Sequence, residues 1–241
     1  MMRLSEQILF LMGYGRKYFP ELGELLNKPY QYSSLLPKNG RAVHRALARL
    51  KIRGEVAVQG RRDRAHYRVT REGMGRLLEM RPYLAGAKWD RKWRVVVFDI
   101  PERYRGMRAV LRRFLSSVGA GAWQRSLWVT PLAMTREIRA FIEASRLDQM
   151  AFLLEIEKIY ALESKRLADK VWGLSELGQK YEGFAVECER GEKVTSTHKQ
   201  MFSRLVFGDP LLPPELLPEG FARGKAMRAY RDLLGRSELT L

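Results

Sequence analysis

The feature that most constrains the fold is a short apolar run in the middle of the chain. Residues 93–99, WRVVVFD, are rich in β-branched and aromatic side chains, and the run is too short for a helix. We therefore predict a buried central strand at this position. A helix is predicted over about 103–117, because apolar residues recur there on one side, namely Met107, Val110, Leu111, Phe114, Leu115 and Val118.

The residues after this helix continue an alternation of strands and helices. We predict a strand over about 122–130, a helix over about 135–146 and another apolar strand over about 151–160. The pattern leaves open whether residues 120–130 form one bent strand or a hairpin. This order of elements predicts a small ferredoxin-like sheet with helices on one face.

The N-terminal residues carry a different pattern. Helical apolar spacing covers residues 4–12 and 21–28, and residues 29–40 are rich in turn formers. A third helix follows, in which one face is apolar, at Val43, Ala46, Leu47 and Leu50. Asn39 is the expected N-cap of this helix and Gly54 its expected stop.

Two short strands and a further helix complete this N-terminal part. Their alternating apolar residues are Val56 and Val58, then Tyr67 and Val69, and the basic segment QGRRDR joins the strands. The helix is predicted over roughly 71–80. Helix, helix, basic helix, basic hairpin and helix is the order of a winged helix-turn-helix, which we predict for residues 1–80.

The remaining residues complete an α+β organisation. Predicted helices cover 163–187, 194–207 and 222–235, and a proline-dense elbow, GDPLLPPELLPEG, separates the last two. The predicted parts are a winged helix at 1–80, a linker at 81–91, a ferredoxin-like domain at 92–161 and a helical C-terminal domain at 162–241.

The charge distribution points to a polyanionic partner. The chain has a formal net charge of +17, and residues 1–92 hold 20 basic and 8 acidic side chains, whereas residues 93–241 hold 24 and 19. A nucleic acid fits this imbalance, since neutralised phosphates release counterions. The alternatives are a generally basic protein and one that binds acidic lipid. With a single cysteine and no apolar run long enough to span a bilayer, we predict a cytoplasmic protein without a membrane partner.

Seven side chains are the candidate contacts to DNA. An α-helix fits the major groove, and an arginine can donate two parallel hydrogen bonds to guanine. Base edges are the expected contacts of Arg41, His44 and Arg45, which lie near the start of the basic helix. Phosphate is the expected contact of Arg49, one turn later. At the hairpin tip, phosphate or the minor groove is the expected contact of Arg61, Arg62 and Arg64. The alternative is an ordinary solvated helix face.

Three stretches of sequence also resemble a known family. NGRAVHRALARL with RRDRAHYRVT, then WRVVVFDIPERYRGMRAVLRRFLSSVGAGAWQRSLWVTP, then DPLLPPELLPEG occur in the order found in the PaaX family, repressors of phenylacetic acid degradation genes. The resemblance covers residues 39–220. The middle stretch is also similar to the small ferredoxin-like subunit of the CRISPR spacer-acquisition complex.

The resemblance implies a repressor and not an enzyme. It implies a homodimer on double-stranded operator DNA, with a ferredoxin-like part involved in dimerisation and an acyl-CoA effector, phenylacetyl-CoA, that releases the operator. It implies no cofactor, and it does not assign the effector to particular residues.

Two other classes of function stay open at this level. One is a metal-dependent nuclease, because a carboxylate at the position of Asp99 has been proposed to hold a metal in the CRISPR subunit fold. Only Glu102 is close to it in sequence, and a structural acid is the simpler interpretation. The other is a nucleic-acid-binding protein without an effector. His44, His66 and His198 lack metal spacing with one another or with Cys188, so we predict neither metal ligands nor catalytic residues.

Overall fold

The structure, a computed structural model, describes residues 2–59, 66–80, 89–160 and 162–239. The chain divides into two compact units. The first consists of Met1–Leu77, Ser175–Asp209 and Gly220–Leu241, and the second of Leu78–Leu174 and Pro210–Glu219.

The N-terminal part of the first unit contains the elements expected from its sequence, in the expected order. They are helix α1 (Leu4–Tyr18), two 3₁₀ helices (Pro20–Asn27 and Pro29–Gln31), helix α2 (Gly40–Ile52), strands β1 (Val56–Gln59) and β2 (His66–Val69), and helix α3 (Arg71–Met80). The helix predicted at 21–28 is wrong in type. Gly23, with φ +46° and ψ −123°, interrupts it, and the segment is a kinked 3₁₀ helix.

The second unit is a four-stranded antiparallel sheet with helices. Its elements are β3 (Trp93–Phe98), α4 (Arg105–Ser117), β4 (Gly121–Gln124), β5 (Leu127–Thr130), α5 (Thr135–Ala144), β6 (Ala151–Ile156) and α6 (Ser164–Trp172). The strand order β4-β5-β3-β6, with all neighbours antiparallel, is ferredoxin-like. The residues around 120–130 form a hairpin, and its register is irregular between Ala122 and Gln124.

The two faces of this sheet differ in what covers them. On one face, Val96 and Phe98 of β3 pack in one apolar core with the inner sides of α4 and α5, such as Leu111 and Ile138. On the other face, the indole of Trp93 donates a hydrogen bond to the Ser164 hydroxyl (3.2 Å). Helix α6 therefore covers part of the second face.

Helices α7 (Leu174–Arg190), α8 (Ser196–Gly208) and α9 (Arg223–Leu239) follow. By the bounds above, these three helices and α1 to α3 lie in the first unit, except for the first residue of α7 and the last three residues of α3. The Phe10 and Phe207 rings meet edge to face at 5.8 Å, and the Tyr230 hydroxyl donates to the carbonyl oxygens of Ser34 and Leu35 (3.3 Å each). The sequence predicts a separate C-terminal domain, whereas in the structure these helices share a core with the N-terminal residues.

A buried polar network joins α7, α8 and α9 at the ends of the proline-dense elbow. The Arg223 guanidinium donates from Nε and Nη2 to the two carboxylate oxygens of Asp209 (2.8 Å each), and the Tyr181 hydroxyl donates to Asp209 Oδ2 (2.7 Å). The Asp209 carboxylate is fully buried. Burial opposes the charge on Arg223, but the adjacent carboxylate keeps its pKa raised. The network holds the residues on both sides of the elbow, 209 and 223, against α7.

Replacing Asp209 with Asn should destabilise the protein. The change leaves the buried Arg223 cation without its counter-charge, and we expect a loss of about 3 kcal/mol in the free energy of unfolding. Urea titration followed by circular dichroism measures it. Glu182→Gln removes one partner of the exposed pair with Lys225 and serves as the control, with little expected effect. Equal unfolding midpoints for Asp209→Asn and the wild type would contradict this role.

Two glycines of α3 offer a matched pair of substitutions. A Cβ atom on Gly73 would lie 2.0 Å from the Glu55 carbonyl oxygen, whereas a Cβ on Gly75 would meet nothing within 4 Å. We expect Gly73→Ala to cost about 2 kcal/mol through overpacking. Gly75→Ala should instead stabilise by up to about 1 kcal/mol, since alanine favours a helix. Thermal unfolding of both variants tests this, and effects of the same sign would count against the close approach at Gly73.

Candidate nucleic-acid interface

Helix α2 forms as its sequence predicts. The Asn39 side chain accepts a hydrogen bond from the Ala42 backbone N–H (2.9 Å) and so caps the N-terminus. The apolar face is buried, at Val43, Ala46, Leu47 and Leu50. The helix is followed by Gly54 at φ +70°, a conformation that favours glycine. The predicted cap, buried face and stop are all confirmed.

The opposite side of α2 is exposed and basic. All four predicted side chains on it are exposed, namely Arg41, His44, Arg45 and Arg49. Within the described residues, none of the four forms an ion pair with an acidic side chain. The guanidinium charges of Arg41, Arg45 and Arg49 are therefore available to an anion from outside the chain.

The C-terminal end of α2 extends this surface beyond the predicted residues. Lys51 and Arg53 are exposed, and Ile52 between them is 85% exposed, although it is a large apolar side chain. Sequence reasoning missed these three residues because they lie next to the expected stop at Gly54. The available signal was Arg53, four residues beyond Arg49, because residues four apart lie on the same side of a helix.

The hairpin carries two basic side chains that sequence reasoning also missed, a histidine and an arginine. Strands β1 and β2 pair with Val56 opposite Val69 and Val58 opposite Tyr67. His66 and Arg68 alternate with these residues and are exposed. The two-residue period of a strand was the signal that could have found them. The predicted hairpin-tip residues Arg61, Arg62 and Arg64 lie outside the described residues.

Backbone hydrogen bonds join the basic helix to the hairpin. The Glu55 N–H donates to the Leu50 carbonyl oxygen (2.9 Å), the Thr70 N–H donates to the Glu55 carbonyl oxygen (3.1 Å), and the Thr70 hydroxyl donates to the Gly54 carbonyl oxygen. These bonds hold the end of α2, the start of β1 and the end of β2 against one another. We call the exposed side of α2, together with the exposed side chains of Lys51, Arg53, His66 and Arg68, the basic surface.

The residues considered for other chemistry have structural roles or are exposed singly. Asp99 is exposed after β3, and it is Glu102, not Asp99, that pairs with an arginine, Arg108. Where the chain is described, no group of three or more His, Cys, Asp and Glu side chains is placed to hold a metal ion. His198 accepts a hydrogen bond from the Thr195 N–H in the N-terminal cap of α8 (3.1 Å). Burial raises the pKa of the Cys188 thiol to about 12, which makes it a poor nucleophile.

Comparison with known families identifies the middle of the chain. Residues 86–168 match the family model for the PaaX protein central Cas2-like domain. These residues are similar to that domain of the PaaX family. The match contains all four strands of the ferredoxin-like sheet and confirms the resemblance for the middle domain, including its Cas2-like character.

Curated proteins and solved structures provide two further comparisons. No curated protein matches its sequence. A similar solved structure is that of the uncharacterized protein Rv0674 from Mycobacterium tuberculosis, with 21% sequence identity, a TM-score of 0.47, and coverage of 83% of this chain and 84% of that chain. Within the described parts of the chain, no helix has both the length and the hydrophobicity to cross a membrane.

Proposed function

We propose that this PaaX-like chain is a transcriptional repressor that binds double-stranded operator DNA as a homodimer and is not an enzyme. The observation that carries the proposal is the basic surface, in which an exposed helix face, with no acidic ion-pair partner among the described residues, adjoins a basic hairpin. Helix, 3₁₀ segment, basic helix, hairpin and helix is the order of a winged helix-turn-helix.

In this proposal α2 is the recognition helix. Arg41, His44 and Arg45 lie in its first half and contact base edges in the major groove, where an arginine can bind guanine O6 and N7 together. Arg49 lies a turn further along and meets phosphate. The hairpin cations reach adjacent phosphates or the minor groove, which positions the helix without reading the sequence. The concentration of positive charge in residues 1–92 supports this division of roles.

The sheet of the second unit supports the homodimer. Phe152 and Leu154 of edge strand β6 are 56% and 47% exposed, and they pair with Val97 and Val95 across the sheet. All four side chains lie on the face away from the α4–α5 core, and we call the exposed ones there, Phe152 and Leu154, the open sheet face. Apolar side chains exposed next to one another mark an interaction site more often than an ordinary surface. A second copy that packs there brings two recognition helices to a palindromic operator.

A small effector releases the operator, and an aryl-acyl-CoA such as phenylacetyl-CoA is the candidate that the family suggests. An effector shifts the equilibrium only by its differential affinity, so it must bind the DNA-free protein more tightly than the DNA-bound protein. Operator DNA in a bacterial cell lies in the cytoplasm, so the protein acts there. The chemistry of repression requires no cofactor.

Alanine substitutions on the basic surface test the DNA contacts. Arg45→Ala should weaken operator binding by about 1–3 kcal/mol and relax the sequence preference, because a base-edge contact is lost. Arg68→Ala and Arg62→Ala should lower affinity for all duplexes alike and reduce the salt slope by about 1 each. The measurement is fluorescence anisotropy with labelled DNA from upstream of the protein's own gene, at several salt concentrations.

Arg190→Ala is the matched control, since Arg190 is an exposed arginine at the end of α7 and is not one of the residues of the basic surface. It should bind like the wild type. If Arg45→Ala, Arg62→Ala and Arg68→Ala all keep wild-type affinity and salt dependence, the basic surface does not bind DNA. If the wild type binds no duplex at all, the repressor proposal fails.

A charged substitution on the open sheet face tests the homodimer. Phe152→Glu places a carboxylate among apolar side chains that a second copy would cover, and it should shift the protein from dimer to monomer in sedimentation or light-scattering measurements. Tyr160→Glu is the control, because Tyr160 is 82% exposed in the same unit and lies beyond the sheet. A Phe152→Glu protein that remains dimeric would place the interface elsewhere.

A further inference from the structure

Helix α2 has a central line of side chains on its exposed side. An α-helix turns by about 100° per residue, so residues spaced by three or four positions lie one above another. The residues farthest from the buried side of α2 follow this spacing, and all of them are exposed. They are Arg41, Arg45, Ala48 and Ile52. Ile52 therefore faces the same direction as the arginines that the proposed function places at base edges.

The chemistry of this line changes along the helix. Its first half carries two guanidinium groups, whereas its second half, Ala48 and Ile52, is apolar. Ile52 is 85% exposed, and a partner that covers it gains binding free energy, because apolar surface leaves the water. Single exposed apolar residues are common on protein surfaces. It is the place of Ile52 on the line, and not its exposure alone, that indicates a contact.

Two cations lie on either side of Ile52. Lys51 precedes it and Arg53 follows it, both are exposed, and Arg53 keeps right-handed helical angles (φ −79°, ψ −1°). Since successive residues are about 100° apart, these two side chains leave the helix on opposite sides of Ile52. The major groove of B-DNA is about 12 Å wide, and an α-helix with its side chains is about 10–12 Å across. In such a groove the two cations reach phosphates on opposite walls, and Ile52 between them faces the floor.

The floor of the major groove offers an apolar group at one base only. Thymine presents its C5-methyl group there, whereas the other groups by which proteins distinguish the bases are hydrogen-bond donors and acceptors. The Ile52 side chain has no atom that donates or accepts a hydrogen bond. A contact with a thymine methyl group is therefore the base recognition that its chemistry allows.

We propose that Ile52 is a specificity-determining residue and that it contacts the C5-methyl group of a thymine in the operator. The proposal rests on the proposed function, because it requires α2 to be the recognition helix. One line of side chains then reads two kinds of base, a guanine through the hydrogen bonds of Arg45 and a thymine through the apolar surface of Ile52.

The spacing of the two residues limits the spacing of the two bases. Ile52 lies seven residues after Arg45. At about 1.5 Å per residue, this is a rise of about 10 Å along the helix axis, and stacked bases are about 3.4 Å apart. The thymine should therefore lie within about three base pairs of the guanine that binds Arg45.

Duplexes that lack the methyl group test the contact. Deoxyuridine in place of thymidine removes the C5-methyl group and keeps the base pairing and every hydrogen-bonding group. Fluorescence anisotropy measures binding of the full-length protein to labelled DNA from upstream of its own gene, made once with thymidine and once with deoxyuridine throughout. The wild type should bind the deoxyuridine duplex at least about fourfold more weakly, which is roughly the effect of one buried methyl group.

Variants assign this difference to Ile52. Ile52→Ala should bind the thymidine duplex at least about fourfold more weakly and lose the difference between the two duplexes, because both changes remove the same contact. Ile52→Val keeps a branched apolar side chain and should keep most of the difference. Val110→Ala is the control, since Val110 is 44% exposed on α4 and does not belong to the basic surface. It should behave like the wild type, and circular dichroism checks that each variant is folded.

Single replacements then locate the base. One thymidine at a time is changed to deoxyuridine, and one guanine at a time to 7-deazaguanine, which lacks the N7 acceptor. The deoxyuridine that weakens the wild type but not Ile52→Ala should lie within about three base pairs of the 7-deazaguanine that weakens the wild type but not Arg45→Ala. A larger separation would overturn the placement of both residues on one line in the groove.

The outcomes separate this proposal from the proposed function. Equal wild-type affinity for the thymidine and deoxyuridine duplexes would overturn the role of Ile52 and leave DNA binding by α2 standing. A full difference between the duplexes in folded Ile52→Ala would also overturn it, because another residue would then contact the methyl group. A wild type that binds no duplex would overturn both proposals together.

Discussion

The close approach of α3 to the end of α2 is the contact on which the basic surface depends. Gly73 lies against the Glu55 carbonyl oxygen, where a Cβ atom would come within 2.0 Å. The same Glu55 peptide accepts from the Thr70 N–H, and its own N–H donates to the Leu50 carbonyl oxygen. Helix end, strand start and strand exit are thus fixed within a few residues. A basic helix and a basic hairpin can act on one duplex only if such a contact holds them in a constant relation.

Local patterns predicted the elements for which the chain itself supplies the signal. The apolar spacing of α2, its cap at Asn39 and its stop at Gly54 all involve residues within one turn of one another. The order of strands and helices around β3 was predictable for the same reason. The kink at Gly23 and the choice of a hairpin at 121–130 were not predictable, because a positive φ and a register irregularity depend on how the segment packs.

The grouping of the C-terminal helices with the N-terminal residues needed the structure. Periodicity shows that α9 has an apolar face, but it does not say which surface covers that face. In the structure, Tyr230 reaches the carbonyl oxygens of Ser34 and Leu35, nearly two hundred positions earlier in the chain. Contacts at such separation leave no local trace in one sequence. The candidate site was more accessible to prediction, because the exposed side of α2 is fixed by its buried side. His66 and Arg68 required the register of β2 as well.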